Sequence, residues 1–335
     1  MEANLTEELQ SNTPKATPSM KRWLRHAPAV AAFLVLVASA APFANLHWWP
    51  NLIAHFRPQL VIVLSLLCFA LLFQRRWILA VIALTGSAAN LGAMVTQAGS
   101  PLPMMPPSAN SPRVRLISVN VLQGNKRLDL LEQFIRTSDA DVLVFQEVTF
   151  KTANLLAKLK TIYPGQFMHP MKNSKGCALL TRLPLISARW ERTPGLEAVG
   201  AIVAEIESTT GRFAVLDIHS HKPTNEKDAA SQGTYFQWIG AKVQETQQRG
   251  LPTVVAGDFN STLWARALQD FTAKTQLSNV NQGILFDATW SRWLPQRLMI
   301  DHVFLTPEWS LVGREVGPAT GSDHRPLIVD LARAR

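Results

Sequence analysis

The chain has 335 residues, 47% of them hydrophobic and only 17% charged. A charged share below the roughly 25% of soluble proteins, beside so much apolar content, excludes disorder over the whole length and points to a part that sits in lipid. Net charge is +9, and because 7 of the 33 basic and 3 of the 24 acidic residues precede Arg113, the remainder carries +5; that suits an anionic partner such as a phosphodiester without demanding one.

Residues 1–26 form a tail that ends in Lys21, Arg22 and Arg25. From Ala27 to Leu46 no charged residue interrupts about 20 positions, the length that spans a bilayer core. A second apolar run, Leu60 to Phe73, reaches spanning length when its flank contributes, giving a helix over about 54–73. A third covers Trp77 to Val95. A buried helical hairpin is the alternative for these last two, and a signal peptide cleaved after Ala38-Ser39-Ala40 the alternative for the first. Trp23, Trp48, Trp49 and Trp77 fall at the predicted ends, where amphipathic rings prefer the water–lipid boundary. Residues 27–95 thus read as a three-helix transmembrane module contacting the bilayer. Lys15, Lys21, Arg22 and Arg25 precede the first run and Arg75-Arg76 join the second to the third, whereas the first loop has only Arg57 and the stretch from Trp77 to Pro112 has no basic residue. The positive-inside rule then predicts a multi-pass inner-membrane protein with a cytoplasmic tail and everything after the third helix outside the cytoplasm, whether or not the first run is cleaved.

Residues 96–112 are rich in proline and serine and read as a linker. The segment 113–335 is long enough for its own core. Within it Val114–Asn120, Asp141–Gln146, Ala178–Thr181, Ala201–Ile206, Phe213–His219, Thr253–Ala256, Ile300–Leu305 and Leu327–Asp330 read as strands. Leu128–Arg136, Thr152–Lys160, Asp228–Gln248 and Leu263–Phe271 carry helical patterns between some of them, which predicts an α/β or α+β sandwich rather than a bundle or a barrel of strands alone. With Cys68 in an apolar run and Cys177 alone in the remainder, no structural disulfide is expected.

Polar residues stand at the ends of these apolar strands, where a rigid sheet aims them into one cleft. Asn120 ends LISVN, Glu147 ends DVLVFQE, His219 ends FAVLDIH, Asp258 and Asn260 follow TVVAG, Asp301-His302 interrupt LMIDHVFL, and Asp323-His324 stand in GSDHRPL. Taken singly, the asparagines read as turn formers, Glu147 as a helix cap and Asp258 as an Asx turn. Asp301 in the middle of an apolar strand is harder to dismiss, because a buried charge is costly unless paired. Carboxylates without cysteine or multi-histidine spacing argue against structural zinc and suit Mg²⁺, with Mn²⁺ as the substitute. Metal, phosphate and histidine together indicate metal-assisted hydrolysis.

The ordered set SVNVLQGN, FQEV, GCALLTRLPL, LDIHSHKP, AGDFNSTLW, IDHVFL and GSDHRPL resembles the endonuclease/exonuclease/phosphatase superfamily, the deoxyribonuclease I-like proteins, over about residues 113–333. The likeness is greatest to bacterial members with short hydrophobic helices before the catalytic domain. It implies a four-layer α/β/β/α sandwich and a set of site residues. Glu147 is similar to the metal-binding glutamate and Asn120 to the asparagine beside metal and phosphate. Asp258 and Asn260 resemble the pair that positions the attacking water and the scissile phosphate, Asp258 also being placed among the metal's neighbours. Asp323 is similar to the second metal-linked aspartate. His324 resembles the histidine on the phosphoryl oxygens, with Asp301 orienting it. His219 is similar to the histidine that protonates the leaving oxygen in nuclease-like members. His221, two residues on, shares its direction if the strand continues, and His219 is preferred because it directly ends the apolar run. The general base stays divided between Asp258 and the His324–Asp301 pair. His302 and His169 are expected to be structural or exposed; Lys175, Arg182, Trp264 and Trp293 are candidate substrate contacts whose ordinary reading is surface charge or packing.

The expected activity is Mg²⁺-dependent phosphoester hydrolysis by a phosphodiesterase or nuclease outside the cytoplasm, with a phospholipid-directed enzyme as the alternative and a non-catalytic receptor or scaffold as the third reading. The substrate is nucleic acid or a phospholipid head group. No protein partner is implied.

Overall fold

Four helices precede the first strand: α1 (Pro18–Ala44), α2 (Trp48–Ala54), α3 (Arg57–Phe73) and α4 (Trp77–Gln97). The computed structural model describes residues 18–44, 48–97, 113–196, 199–281, 288–291 and 297–334. The expected linker therefore lies outside the described residues, except that Thr96 and Gln97 finish α4. Two helical expectations need correction. First, α1 starts inside the expected tail: Pro18 occupies its first turn, and no glycine or further proline lies between it and Ala27. Second, the helix expected over about 54–73 begins only at Arg57 as α3, and the flank expected to lengthen it forms the separate α2, the two meeting at 72°. Pro58, in the first turn of α3, has no amide hydrogen for the preceding turn and ends any continuation from α2. Among the described residues only Trp77–Gln97 is by itself long and apolar enough to cross a membrane; the bent α2–α3 pair passes only when taken together, and Val30–Ala41 is a shorter apolar stretch.

Arg57 fastens these helices. It is buried, donates to Asn90 Oδ1 on α4 at 2.8 Å and lies 4.6 Å from the centre of the Phe43 ring on α1.

The remainder is β1 (Arg113–Asn120), α5 (Leu128–Thr137), β2 (Val142–Gln146), α6 (Phe150–Ala157), β3 (Gly165–His169), β4 (Cys177–Thr181), β5 (Leu185–Arg192), β6 (Gly200–Ser208), β7 (Gly211–His219), α7 (Glu226–Gln248), β8 (Thr253–Asp258), α8 (Arg266–Thr275), β9 (Ser278–Asn279), β10 (Asp301–Leu305), β11 (Trp309–Val316) and β12 (Leu327–Arg333). The strands form two six-stranded sheets, ordered β11-β12-β1-β2-β4-β3 and β5-β6-β7-β8-β10-β9. Alternation along each strand divides the core into three layers. Leu116, Val144 and Leu179 of one sheet meet Ile202, Val215 and Val254 of the other. Their neighbours Ile117, Leu143 and Leu180 pack on Leu131, Ile135 and Leu156 of α5 and α6. On the far side Leu216, Val255 and Phe304 pack on Tyr235, Ile239 and Phe271 of α7 and α8. Helix, sheet, sheet, helix is the expected four-layer sandwich.

Register brings the polar strand ends together. β1 and β2 run parallel with Asn120 opposite Gln146; β7 and β8 run parallel with His219 opposite Asp258. β10 is antiparallel to β8, so its first residue, Asp301, lies opposite Asp258.

Candidate active site

Asn120 sits where the two sheets meet at this edge. Its amide nitrogen donates to Asp258 Oδ2 at 2.9 Å and to Glu147 Oε1 at 3.3 Å, so one side chain joins a carboxylate from each sheet. Its own Oδ1 accepts from Leu122 N–H, fixing the amide's orientation. Glu147 follows β2 with φ of 61°, a left-handed conformation uncommon for a side-chain-bearing residue, and its Oε2 accepts from Gln123 N–H at 2.9 Å. Asn260 has φ of 47° and donates to the Ser220 carbonyl, while its backbone N–H reaches Asp258 Oδ1 at 2.8 Å. Two strained residues flank the carboxylates, a cost that concentrates at functional sites.

His324 Nδ1 donates to Asp301 Oδ2 at 2.8 Å, and its Nε2 stands 3.7 Å from Asp258 Oδ2. Burial works against the charged ring, yet Asp301 and Asp258 outweigh it and hold His324 up to about 9, so it is an imidazolium at neutral pH. Burial, with Asp301 nearby, pushes Asp258 up to about 6 against the pull of His324. His219 is in the opposite state. Burial, with Lys175 and Lys222 adding repulsion, drives it well below the ordinary imidazole range. Its Nδ1 faces the Ser174 carbonyl at 2.9 Å, an arrangement that requires the hydrogen on Nδ1; Nε2 is then an acceptor, buried without a partner and 3.6 Å from Asp258 Oδ2. This starting state does not suit the acid role expected for His219, because its Nε2 carries no proton to give. His221 lies past the end of β7, 3.9 Å from Asp228 at the start of α7, and is half-exposed. The strand does not continue, so the two histidines do not share a face.

Asp258, Asp301 and His324 form the group whose ligand atoms lie within 4.8 Å of one another. The expected set of Glu147, Asp323, Asn120 and Asp258 is arranged differently: the first, third and fourth are joined through the Asn120 amide, while Asp323 turns Oδ2 to Trp290 Nε1 at 2.9 Å and leaves Oδ1 buried without a partner. His324, protonated at neutral pH, has no lone pair on Nε2 for a metal, and Asn120 turns its amide nitrogen rather than its oxygen to the carboxylates; the carboxylate oxygens of Glu147 and Asp258 are hard donors that fit a small divalent cation. Lys175 donates to the Ser220 carbonyl at 3.1 Å, the same oxygen that holds Asn260, and burial lowers its affinity for its proton. Arg182 lies away from the site, paired with Asp139 and set over the Tyr163 ring. His302 is structural, with Nε2 on the Ser261 carbonyl at 2.8 Å, and His169 stacks on Trp190. Trp264 is buried packing; Trp293 lies outside the described residues.

Residues 117–324 match the model of the Endonuclease/Exonuclease/phosphatase family. The chain belongs to this family. It is accordingly a metal-dependent phosphoester hydrolase by family, as its ordered motifs lead one to expect. Solved structures similar to this family member include one from Bacteroides thetaiotaomicron described by the same family name, at 18% identity over 68% of this chain and 100% of that one, with a TM-score of 0.55. The human Nocturnin catalytic domain with bound sulfate is similar at 19% identity over 69% and 100%, with a TM-score of 0.53. D. rerio TDP2 complexed with a single strand DNA product is similar at 13% over 65% and 98%, with a TM-score of 0.54. At these identities the likeness is one of fold. No curated protein matches the chain.

One contact of the site joins two motifs in a way that neither shows alone. Gln146 Nε2 donates to Asp217 Oδ1 at 2.6 Å, tying the residue before Glu147 to the strand that ends in His219, across the two sheets. Burial raises Asp217 well above the usual carboxylate range. Alternation hides it, since a lone polar residue inside an apolar strand looks like any solvent-facing position.

Proposed function

We propose that the chain is a Mg²⁺-dependent phosphodiesterase or nuclease that works outside the cytoplasm, held to the bilayer by its N-terminal helices. The observation that carries this reading is the Asn120 amide joining Glu147 and Asp258 beside the Asp301–His324 pair. Glu147, with Asp323 and Asp258 around it and the Asn120 amide orienting the carboxylates, would hold the metal, which supplies charge neutralisation at the phosphoryl oxygens. Asp258 Oδ2 and the His219 Nε2 lone pair, 3.6 Å apart, are two acceptors facing one point, an arrangement that holds a water by its two hydrogens. His324, kept protonated by Asp301, presents Nε2–H to charge developing on the phosphate, and is the imidazole with a proton to give to the leaving oxygen. Asn260, anchored by Ser220, and the half-buried Lys175 complete the anion-facing side. The basic residues before the first apolar run and at Arg75-Arg76 support the extracytoplasmic placement. A nucleic-acid substrate draws support from the mild positive charge after Arg113 and from the DNA product held by the TDP2 structure.

A phospholipid head group is the second reading, favoured by the contact of the helical module with the segment that follows Asp258 and Asn260, through His55 and Thr262. The purified full chain assayed on single-stranded DNA, RNA and phospholipid vesicles, with and without Mg²⁺, separates the two. Cleavage of DNA or RNA with vesicles untouched supports the first, and the reverse supports the second.

A further inference from the structure

The elbow between α2 and α3 touches the catalytic sandwich at one residue that matters for the site. His55, buried, faces the backbone N–H of Thr262 through Nδ1 at 3.1 Å and the Thr262 hydroxyl at 3.3 Å. A backbone N–H only donates, so Nδ1 is the acceptor and the ring carries its hydrogen on Nε2. Thr262 lies two residues after Asn260 and four after Asp258. The intervening segment is irregular, and its conformation is imposed from outside. The Phe259 N–H is held by the Ile300 carbonyl at 2.9 Å, and the Ser261 carbonyl accepts from His302 Nε2 at 2.8 Å. Gln232 Nε2 reaches the Phe259 carbonyl at 3.2 Å. Asn260 itself is left-handed, which a residue with a side chain keeps only where its surroundings over-determine it. All of these fastenings except one come from the sandwich; the exception is His55.

The elbow is also held on its other side. Arg57, two residues on, is clamped by Asn90 and Phe43, and Gln59 reaches the Arg297 carbonyl at 3.4 Å. The imidazole is thus presented by a helix junction that cannot easily retreat.

We propose that His55 is a positioning residue for the reaction: the N-terminal module holds the 259–262 segment, and through it Asn260 and Asp258, in the conformation that the site needs. This rests on the reading of Asp258 and Asn260 as reaction residues. The helices would then be part of the catalytic apparatus as well as an attachment.

The test uses the full chain in detergent with two variants. In His55→Ala the acceptor is lost; in His55→Asn the side-chain oxygen falls near the place of Nδ1 and restores it. The expected result for His55→Ala is a kcat about tenfold lower, the scale of one lost hydrogen bond, with KM within about twofold. Deuterium exchange at the Thr262 amide should speed up in His55→Ala, and His55→Asn should recover both the slow exchange and most of kcat. Unchanged exchange at Thr262, an unchanged kcat in His55→Ala, or a His55→Asn no better than the alanine variant would each overturn the proposal. A wild type inactive on every phosphoester counts against the hydrolase reading alone; the exchange measurement, which needs no substrate, then decides the His55 contact by itself.

Discussion

A buried imidazolium and a buried imidazole stand on either side of Asp258, and the pH dependence of the enzyme should report the difference. With Asp258 pushed up to about 6 and His324 held up to about 9, kcat/KM is expected to fall below about pH 6, as the Asp258 carboxylate is protonated, and again above about pH 9, as His324 loses its proton. Asp301→Asn removes the carboxylate that holds the second limb up, so that limb should move down toward the ordinary value of 6.5 while the acid limb stays within reach of its place. An alkaline limb that ignores Asp301→Asn would remove His324 from the reaction. The same raised value bears on stability: because the folded value exceeds the unfolded one, the contribution of the His324–Asp301 pair is complete below about 6.5 and is lost as pH rises through about 9, which a series of thermal unfolding curves would detect. Asp258→Asn and His324→Ala should each lower kcat by at least about 10²-fold, since both act where charge or protons move. His221→Ala, by contrast, should stay near wild type, as its ring stands beside Asp228 rather than Asp258; a large loss there would mean that the site extends beyond the end of β7.

At the scale of elements, a tight requirement beside the site is at Gly257. It has φ of 147°, and a side chain there would place its first carbon 2.0 Å from the Ile218 carbonyl oxygen. Gly257→Ala must therefore push β7 and β8 apart directly beneath His219 and Asp258, and should lower Tm by several degrees together with activity, in keeping with about 1–3 kcal/mol for strained backbone. An unchanged Tm would show that the strands have room to spare. The strands also show what a sequence can reveal. All eight strands anticipated from apolar runs lie inside the two sheets, and the four not anticipated, β3, β5, β9 and β11, are the four sheet edges. Edge strands carry charge on faces that a partner would otherwise cover: β5 reads LISARWER and alternates in burial only loosely. The site was legible for a related reason. Asn120, Glu147, His219, Asp258 and Asp301 interrupt strong apolar runs at their ends, where the pattern makes them conspicuous. His55 and Asp217 were not, because one acts across 207 residues of sequence and the other across two sheets, separations that no local pattern records. The start of α8 was also anticipated three residues early, since Leu263, Trp264 and Ala265 are apolar and buried yet lie in the irregular segment that carries the site into the helix.

For the whole molecule, the basic residues before the first apolar run and at Arg75-Arg76 predict that the C-terminus lies outside the cytoplasm. An alkaline phosphatase fused after Arg335 should be active and a fluorescent reporter that needs the cytoplasm dark; the reverse pattern would bring the sandwich inside and overturn the extracytoplasmic placement. The central claim, that the edge of the sandwich hydrolyses phosphoesters with a divalent ion at Glu147, is tested most directly by following cleavage of a phosphodiester by the purified full chain in Mg²⁺, in EDTA, and in Mg²⁺ with Glu147→Gln. Turnover that requires Mg²⁺, vanishes in EDTA and is nearly abolished by a Glu147→Gln protein with an unchanged unfolding curve is the predicted result. Full activity in EDTA, or an undiminished Glu147→Gln, would contradict it.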